Sequence, residues 1–135
     1  MDKGCILIVD DNRDCLEMAR IVFETKGFRV TCAANGTEAL VILKSSLVTL
    51  MLTDYNMPGM DGLTLSEEAL KTVPGLRVVM VTGDPVTSLY PKAEQLGIAA
   101  VLRKPFDIED VLVVACAARK PDNGQRDPAP LLRHG

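Results

Sequence analysis

The sequence predicts a doubly wound α/β domain, a five-stranded parallel sheet covered on both faces by five helices. Three observations carry that expectation. Short, continuously apolar runs rich in β-branched residues alternate with stretches of three- and four-residue periodicity; a strand buried on both faces needs the first pattern and an amphipathic helix the second. The connections are short, and a repeated βα succession with short connections demands parallel strands with helices on both sides. The chain has 135 residues and is 47% hydrophobic, which suits one domain with a real core and excludes disorder over most of the length.

Taken in order, Cys5-Ile6-Leu7-Ile8-Val9 reads as a central strand that stops at Asp10-Asp11-Asn12. Over residues 13–26, Cys15, Met18, Ala19, Val22 and Phe23 recur at helical spacing opposite Arg13, Glu17, Arg20 and Glu24, and Gly27 ends the helix. Phe28 to Ala33 forms a second strand. Asn35 or Gly36 opens a second helix with Ala39, Leu40 and Leu43 facing inward, and Glu38 stands where a capping box needs it. Leu47 to Thr53 is the third strand, bringing Asp54 to its carboxyl end just before the turn formers Met57-Pro58-Gly59. Gly62 to Thr72 gives a third helix through Leu63, Leu65, Ser66, Ala69 and Leu70, ended by Val73-Pro74-Gly75.

Arg77 to Val81 is a fourth strand leading to Thr82-Gly83-Asp84-Pro85. A fourth helix over residues 86–96 is shortened or kinked by Pro91. Ile98 to Leu102 is the fifth strand, entering Arg103-Lys104-Pro105, and Asp107 to Ala118 closes the domain as a helix capped by Asp107. The domain thus spans residues 1–118. Residues 119–135, with Pro121, Pro128 and Pro130 and little to bury, read as a flexible tail or linker stub.

Composition narrows the function classes. With 15 basic and 18 acidic side chains and a net charge of -3, the chain offers no basic footprint for nucleic acid and no polybasic membrane patch. No apolar run approaches a membrane span, and the first residues lack the pattern of a secretory leader. Cys5, Cys15, Cys32 and Cys116 lie far apart, three of them in apolar surroundings, and the single histidine is His134. Buried free thiols in a reducing cytoplasm are expected, rather than disulfides or a zinc site.

Parallel strands would deliver Asp10, Asp11, Asp54, Thr82 and Lys104 to one sheet edge, the edge where open α/β sheets bind ligands. Each has a plain structural use: aspartates after a strand cap helices, a strand-end threonine packs, and a lysine before proline is solvated. Their combination makes a reaction site. Three clustered carboxylates repel one another unless a cation neutralises them. With oxygen donors only, Mg²⁺ or Mn²⁺ fits, and the backbone carbonyl of Asn56 is a reasonable further ligand. A carboxylate can attack phosphorus, and the transferred group needs its equatorial oxygens neutralised. Lys104 supplies a fixed positive charge and Thr82 a short hydroxyl donor. Asp54 is assigned as nucleophile, because the adjacent pair Asp10-Asp11 suits metal binding.

Residues about 4–118 resemble the receiver domain of two-component response regulators. The likeness rests on Asp10-Asp11, on Asp54 within Thr-Asp-Tyr-Asn-Met-Pro-Gly-Met-Asp-Gly, on Thr82-Gly83 and on Lys104-Pro105-Phe106. The loop after Asp54 is closely similar to that of single-domain chemotaxis receivers. The resemblance implies a flavodoxin-like topology with strand order 2-1-3-4-5. It implies that Asp54 takes a phosphoryl group from a histidine kinase or a histidine phosphotransfer protein, and that Asp10, Asp11 and the Asn56 carbonyl hold Mg²⁺. Lys104 and Thr82 would then contact the phosphoryl oxygens, while Asn56 and Asp84 flank the approach of water and tune the lifetime of the phosphorylated state.

One position departs from the family. A tyrosine or phenylalanine usually stands three residues before the lysine, where Val101 stands here. Valine has no ring to swing and a stiff χ1, so the expected switch is a small backbone movement around Gly83 and Asp84. The last helix carries an apolar surplus from Val111 to Ala118, and the expectation is a partner or dimer face on the fourth and fifth helices involving Val113, Val114 and Val101.

Rival readings are weaker. A metal-dependent aspartyl-phosphate phosphatase needs a second acid where Asn56 stands, and a cap domain. A flavin or nucleotide module needs glycines in place of Asp10-Asp11-Asn12-Arg13. The intact acids, threonine and lysine argue against a docking module without phosphorylation.

Overall fold

The computed structural model describes residues 4–83 and 89–116. Asp84, the end of the last helix and residues 119–135 lie outside the described residues. Five strands alternate with five helices: β1 (Cys5–Val9), α1 (Arg13–Thr25), β2 (Arg29–Ala33), α2 (Gly36–Ser45), β3 (Leu50–Asp54), α3 (Gly62–Thr72), β4 (Arg77–Thr82), α4 (Leu89–Leu96), β5 (Ala100–Arg103) and α5 (Ile108–Cys116). All strand pairs are parallel, in the order β2-β1-β3-β4-β5. That is the doubly wound, flavodoxin-like arrangement the sequence leads one to expect.

The period of two along each strand divides the core. Leu7, Val9, Met51, Val78, Met80 and Val101 pack on the face covered by α2, α3 and α4. Ile6, Ile8, Leu50, Leu52, Val79 and Val81 meet α1 and α5 on the other. Burying each such side chain contributes about 1.5–3 kcal/mol, which is why the runs at β1, β3 and β4 are continuously apolar. No helix among the described residues is long and apolar enough to cross a membrane.

Several sequence expectations are corrected. Helix α1 buries Leu16 and Phe23, with Ala19 packed beside them, whereas Cys15, Met18 and Val22 face outward. The chain carries two apolar stripes at the same helical spacing, and the one holding Phe23 wins because its ring meets Phe28 edge-on, centroids 6.1 Å apart. Strand β3 starts at Leu50, not Leu47, which is 82% exposed; pairing with β1 begins only at Ile6 opposite Leu50. Strand β5 likewise begins at Ala100, two residues beyond Ile98. The fourth helix, by contrast, is short as Pro91 leads one to expect, eight residues with Pro91 in its first turn, where the missing N–H is one the helix would leave unpaired anyway.

The apolar surplus of α5 is mostly core: Val111 and Val114 are buried, and Leu112 and Ala115 are half-buried. Val101 is 0% exposed. Of the three apolar interface candidates, therefore, Val101 and Val114 offer no surface, and only Val113, at 61% exposure, remains. The cysteine expectation also changes. Cys5 is buried, but Cys32 is half-buried and Cys15 exposed, all three with free thiols; the side chain of Cys116 lies outside the described residues.

Candidate functional site

The strand register assembles the site. Val9 pairs with Thr53, Asp54 with Val81, and Thr82 with Arg103, so the next residues, Asp10 and Lys104, flank Asp54 at the carboxyl edge. Carboxylate oxygens of Asp10, Asp11 and Asp54 lie within 4.8 Å of one another. Two like charges at about 5 Å cost roughly 3 kcal/mol at an effective dielectric near 20. A cluster of three is stable as carboxylates only with positive charge beside it. Part of that charge is Lys104, whose Nζ lies 3.3 Å from Asp54 Oδ1.

Asp54 is 7% exposed. Burial pushes its carboxyl above the usual carboxylate range, and Asp10 and Asp11 push the same way against the pull of Lys104. The all-oxygen donor set fits a hard divalent cation, which would take over the neutralisation that Lys104 gives only in part.

The plain structural use of Asp10 and Asp11 is removed by their neighbour. Asn12 caps α1, its Oδ1 accepting from the Cys15 N–H at 3.0 Å, so neither aspartate serves as the cap. The Asn12 N–H in turn donates to Asp10 Oδ1 at 3.0 Å, which orients that carboxylate toward the cluster. Sequence reasoning passed over Asn12, although an asparagine just before an apolar-periodic stretch is a recognised cap signal.

The backbone after Asp54 is held on both sides. The Tyr55 N–H donates to the Val81 carbonyl and the Tyr55 carbonyl accepts from the Gly62 N–H, each at 2.8 Å. The Thr53 hydroxyl donates to the Asp54 carbonyl at 3.0 Å. Helix α3 starts so close to this strand end that a Cβ on Gly62 would stand 2.3 Å from the Asp54 carbonyl oxygen. Gly62 is thus a positioning residue. In the sequence it reads only as a helix start, because nothing local signals close approach of a distant backbone.

The remaining candidates are distributed as follows. Thr82 is 1% exposed, and its carbonyl accepts from the Lys104 N–H at 2.8 Å. The Lys104–Pro105 peptide is cis. Asn56 is exposed and lines a shallow hollow with Tyr55, Pro58 and Asp61. Gly83 is exposed at the end of β4, Asp84 lies outside the described residues, and Val101 is shut within the core. The structure therefore brings Asp10, Asp11, Asp54 and Lys104 together, places Thr82 at the adjoining strand end, and leaves Val101 away from the surface.

Comparison with known proteins gives a consistent picture. The family described as response regulator receiver domain matches residues 6–115. The chain is similar to response regulator receiver protein CpdR of Brucella abortus, 34% identical over 107 residues, covering 79% of this chain and 89% of the relative. It is also similar to the C4-dicarboxylate transport transcriptional regulatory protein DctD of Rhizobium meliloti, 35% identical over 75% of this chain but only 22% of that much longer relative. Among solved structures, a CheY-like response regulator receiver domain protein from Methanospirillum hungatei superposes with a TM-score of 0.76 at 33% identity, over 81% of this chain and 87% of the other. A sheet edge that gathers three carboxylates and a lysine, on a chain matched by that family along nearly all its described length, leads to one assignment: the chain belongs to the response regulator receiver domain family.

Proposed function

We propose that Asp54 is the residue that accepts the phosphoryl group, and that a sensor histidine kinase or a histidine phosphotransfer protein donates it. The observation carrying this reading is the Lys104 ammonium 3.3 Å from a buried Asp54 carboxylate that two further aspartates surround. In the proposed step an Asp54 oxygen attacks phosphorus, the phosphorus–nitrogen bond of the phosphohistidine breaks, and an acyl phosphate forms while the imidazole leaves. Lys104 neutralises one phosphoryl oxygen and the Thr82 hydroxyl donates to another. Mg²⁺, or Mn²⁺ in its place, held by Asp10, Asp11, Asp54 and the Asn56 carbonyl, would supply the remaining neutralisation.

Asn56, two residues after Asp54, and Asp84, two after Thr82, set the lifetime of the phosphorylated state through the water that removes the group. The response passes to partners through the backbone at Gly83 and Asp84 and biases an existing two-state balance. Val101, without a ring and without surface, takes no direct part in contacts. A homodimer through α4 and α5 is part of this reading, with Val113 as its apolar contact. The compartment we assign is the cytoplasm, in keeping with the free thiols of Cys5, Cys15 and Cys32. Intact mass after incubation with acetyl phosphate and Mg²⁺ tests the transfer. The wild type should gain one phosphoryl mass and Asp54→Asn none; an undiminished adduct on the variant would remove Asp54 from the role.

A further inference from the structure

The corner between β2 and α2 touches both loops that carry the metal ligands assigned above. On one side the Asp10 N–H donates to the Ala33 carbonyl at 3.1 Å, prolonging the pairing of Val9 with Ala33. On the other, Met60 from the loop after Asp54 lies against Gly36, the first residue of α2. The corner itself is stiff. The Asn35 side chain caps α2 by accepting from the Glu38 N–H at 2.9 Å, and the Glu38 carboxylate accepts from the Ala34 N–H at 2.8 Å. Such a reciprocal box fixes the entry of the chain into the helix, and a rigid corner between two loops sets their spacing.

The loop after Asp54 needs outside support. Its ends are pinned, by the Tyr55 bonds to Val81 and Gly62 and by Asp61, whose Oδ1 accepts from the Thr64 N–H at 2.8 Å. Among the described residues, no backbone hydrogen bond reaches the stretch from Asn56 to Met60. Packing alone places it: Met57 is buried in the core, and Met60 is half-buried against the same cluster. The seat of Met60 exists because residue 36 is glycine. A Cβ there would stand 2.6 Å from Met60 Sδ and 3.2 Å from its Cβ and Cγ. Turning the thioether end aside relieves the first contact but not the other two, so a side chain at position 36 lifts Met60 from its seat.

We infer that Gly36 and Met60 are positioning residues for the divalent ion: seated on Gly36, Met60 holds the loop where the Asn56 carbonyl can join Asp10, Asp11 and Asp54 as a ligand. The inference rests on the metal reading given above. Groups that orient a ligand from behind are worth about 10–100-fold in metal affinity. The test is calorimetric titration of Mg²⁺ into the full chain, with the denaturant midpoint of each metal-free protein measured beside it. Gly36→Ala and Met60→Ala should each weaken Mg²⁺ binding about tenfold. Once Met60 is truncated, the closest contact left to a methyl at position 36 is 3.2 Å. Adding Gly36→Ala to Met60→Ala should therefore cost at most about a further twofold. Val48→Ala cuts the same core beside the opposite end of β3; it should lower the midpoint and leave the Mg²⁺ constant within about twofold of wild type. Equal constants in wild type and both single variants, losses that multiply in the double variant, or an equal loss in Val48→Ala would overturn the inference. A wild type that takes up no Mg²⁺ would remove the metal reading and this inference with it, whereas binding that ignores Gly36 and Met60 removes this inference alone.

Discussion

Replacing Gly62 by alanine perturbs the site through the backbone alone. The added methyl would stand 2.3 Å from the Asp54 carbonyl oxygen and 2.8 Å from the Tyr55 Cα, and neither neighbour is a flexible side-chain tip. Either α3 backs away or the end of β3 shifts, and the second option strains the bonds from Tyr55 to Val81 and to Gly62. Overpacking of this kind costs about 1–3 kcal/mol, and contact with backbone argues for the upper end. Alanine returns up to about 1 kcal/mol of helix propensity, leaving a net loss of about 2 kcal/mol. With a urea slope near 2 kcal/mol/M the midpoint should fall by about 1 M. Gly75→Ala is the matched control, since nothing lies within 4 Å of its added methyl; it should stay within about 1 kcal/mol of wild type or gain slightly. Phosphorylation from acetyl phosphate should slow in the Gly62 variant, because the nucleophile's own carbonyl is displaced. A Gly62→Ala protein with an unchanged midpoint and unchanged transfer would refute the account of α3 as a backbone brace for Asp54.

Asp54→Asn should raise stability in metal-free buffer, and the gain should depend on pH. The native carboxyl titrates above its unfolded value, so wild type binds more protons folded than unfolded and its stability falls as pH rises through that interval. The difference between the two proteins, followed by denaturant midpoint, should widen from acid toward neutral pH; a constant difference would contradict the burial argument. Adding Mg²⁺ should stabilise wild type by about 2.7 kcal/mol at a hundredfold excess over the dissociation constant, and Asp11→Asn should lose most of that gain in a thermal shift assay. Val113→Glu should leave stability within about 0.5 kcal/mol while weakening any association of the phosphorylated form; sedimentation that shows the same dimer in the variant would exclude α5 as the contact.

What the sequence made legible follows from where its signals are local. Short continuous apolar runs bounded by polar or turn residues read as strands buried on both faces, so β1, β3 and β4 and the acids that end them stand out, and a parallel sheet then brings Asp10, Asp54 and Lys104 together. The misread features needed tertiary information. Cys15-Met18-Val22 and Leu16-Ala19-Phe23 are both apolar stripes, and only the meeting of Phe23 with Phe28 chooses between them. Leu47 looks like strand until the register with β1 excludes it. The apolar run that starts at Val111 reads as spare surface because β4, against which α5 packs, and the α1 residues that share a core cluster with Val111 and Val114 are distant in sequence. Gly62 shows the deepest limit: its role is an empty volume shared with another segment, and no pattern of residue types encodes that.

The receiver assignment also bears on what can move. Thr53, Tyr55 and Gly62 tie the end of β3 with three hydrogen bonds, so charge added at Asp54 arrives on a fixed mount. Lys104 is tethered through its own N–H to the Thr82 carbonyl, and Val101 is closed in the core with Leu89, Ala93 and Ile98. Gly83 is different: it is exposed, and a methyl built on it would meet nothing within 4 Å. A phosphoryl group drawing on the Thr82 hydroxyl would pull on a strand whose next residue has open space around it. The proposed response therefore runs outward from Thr82 through Gly83 toward the start of α4, by backbone displacement, with no side chain exchanged between core and surface.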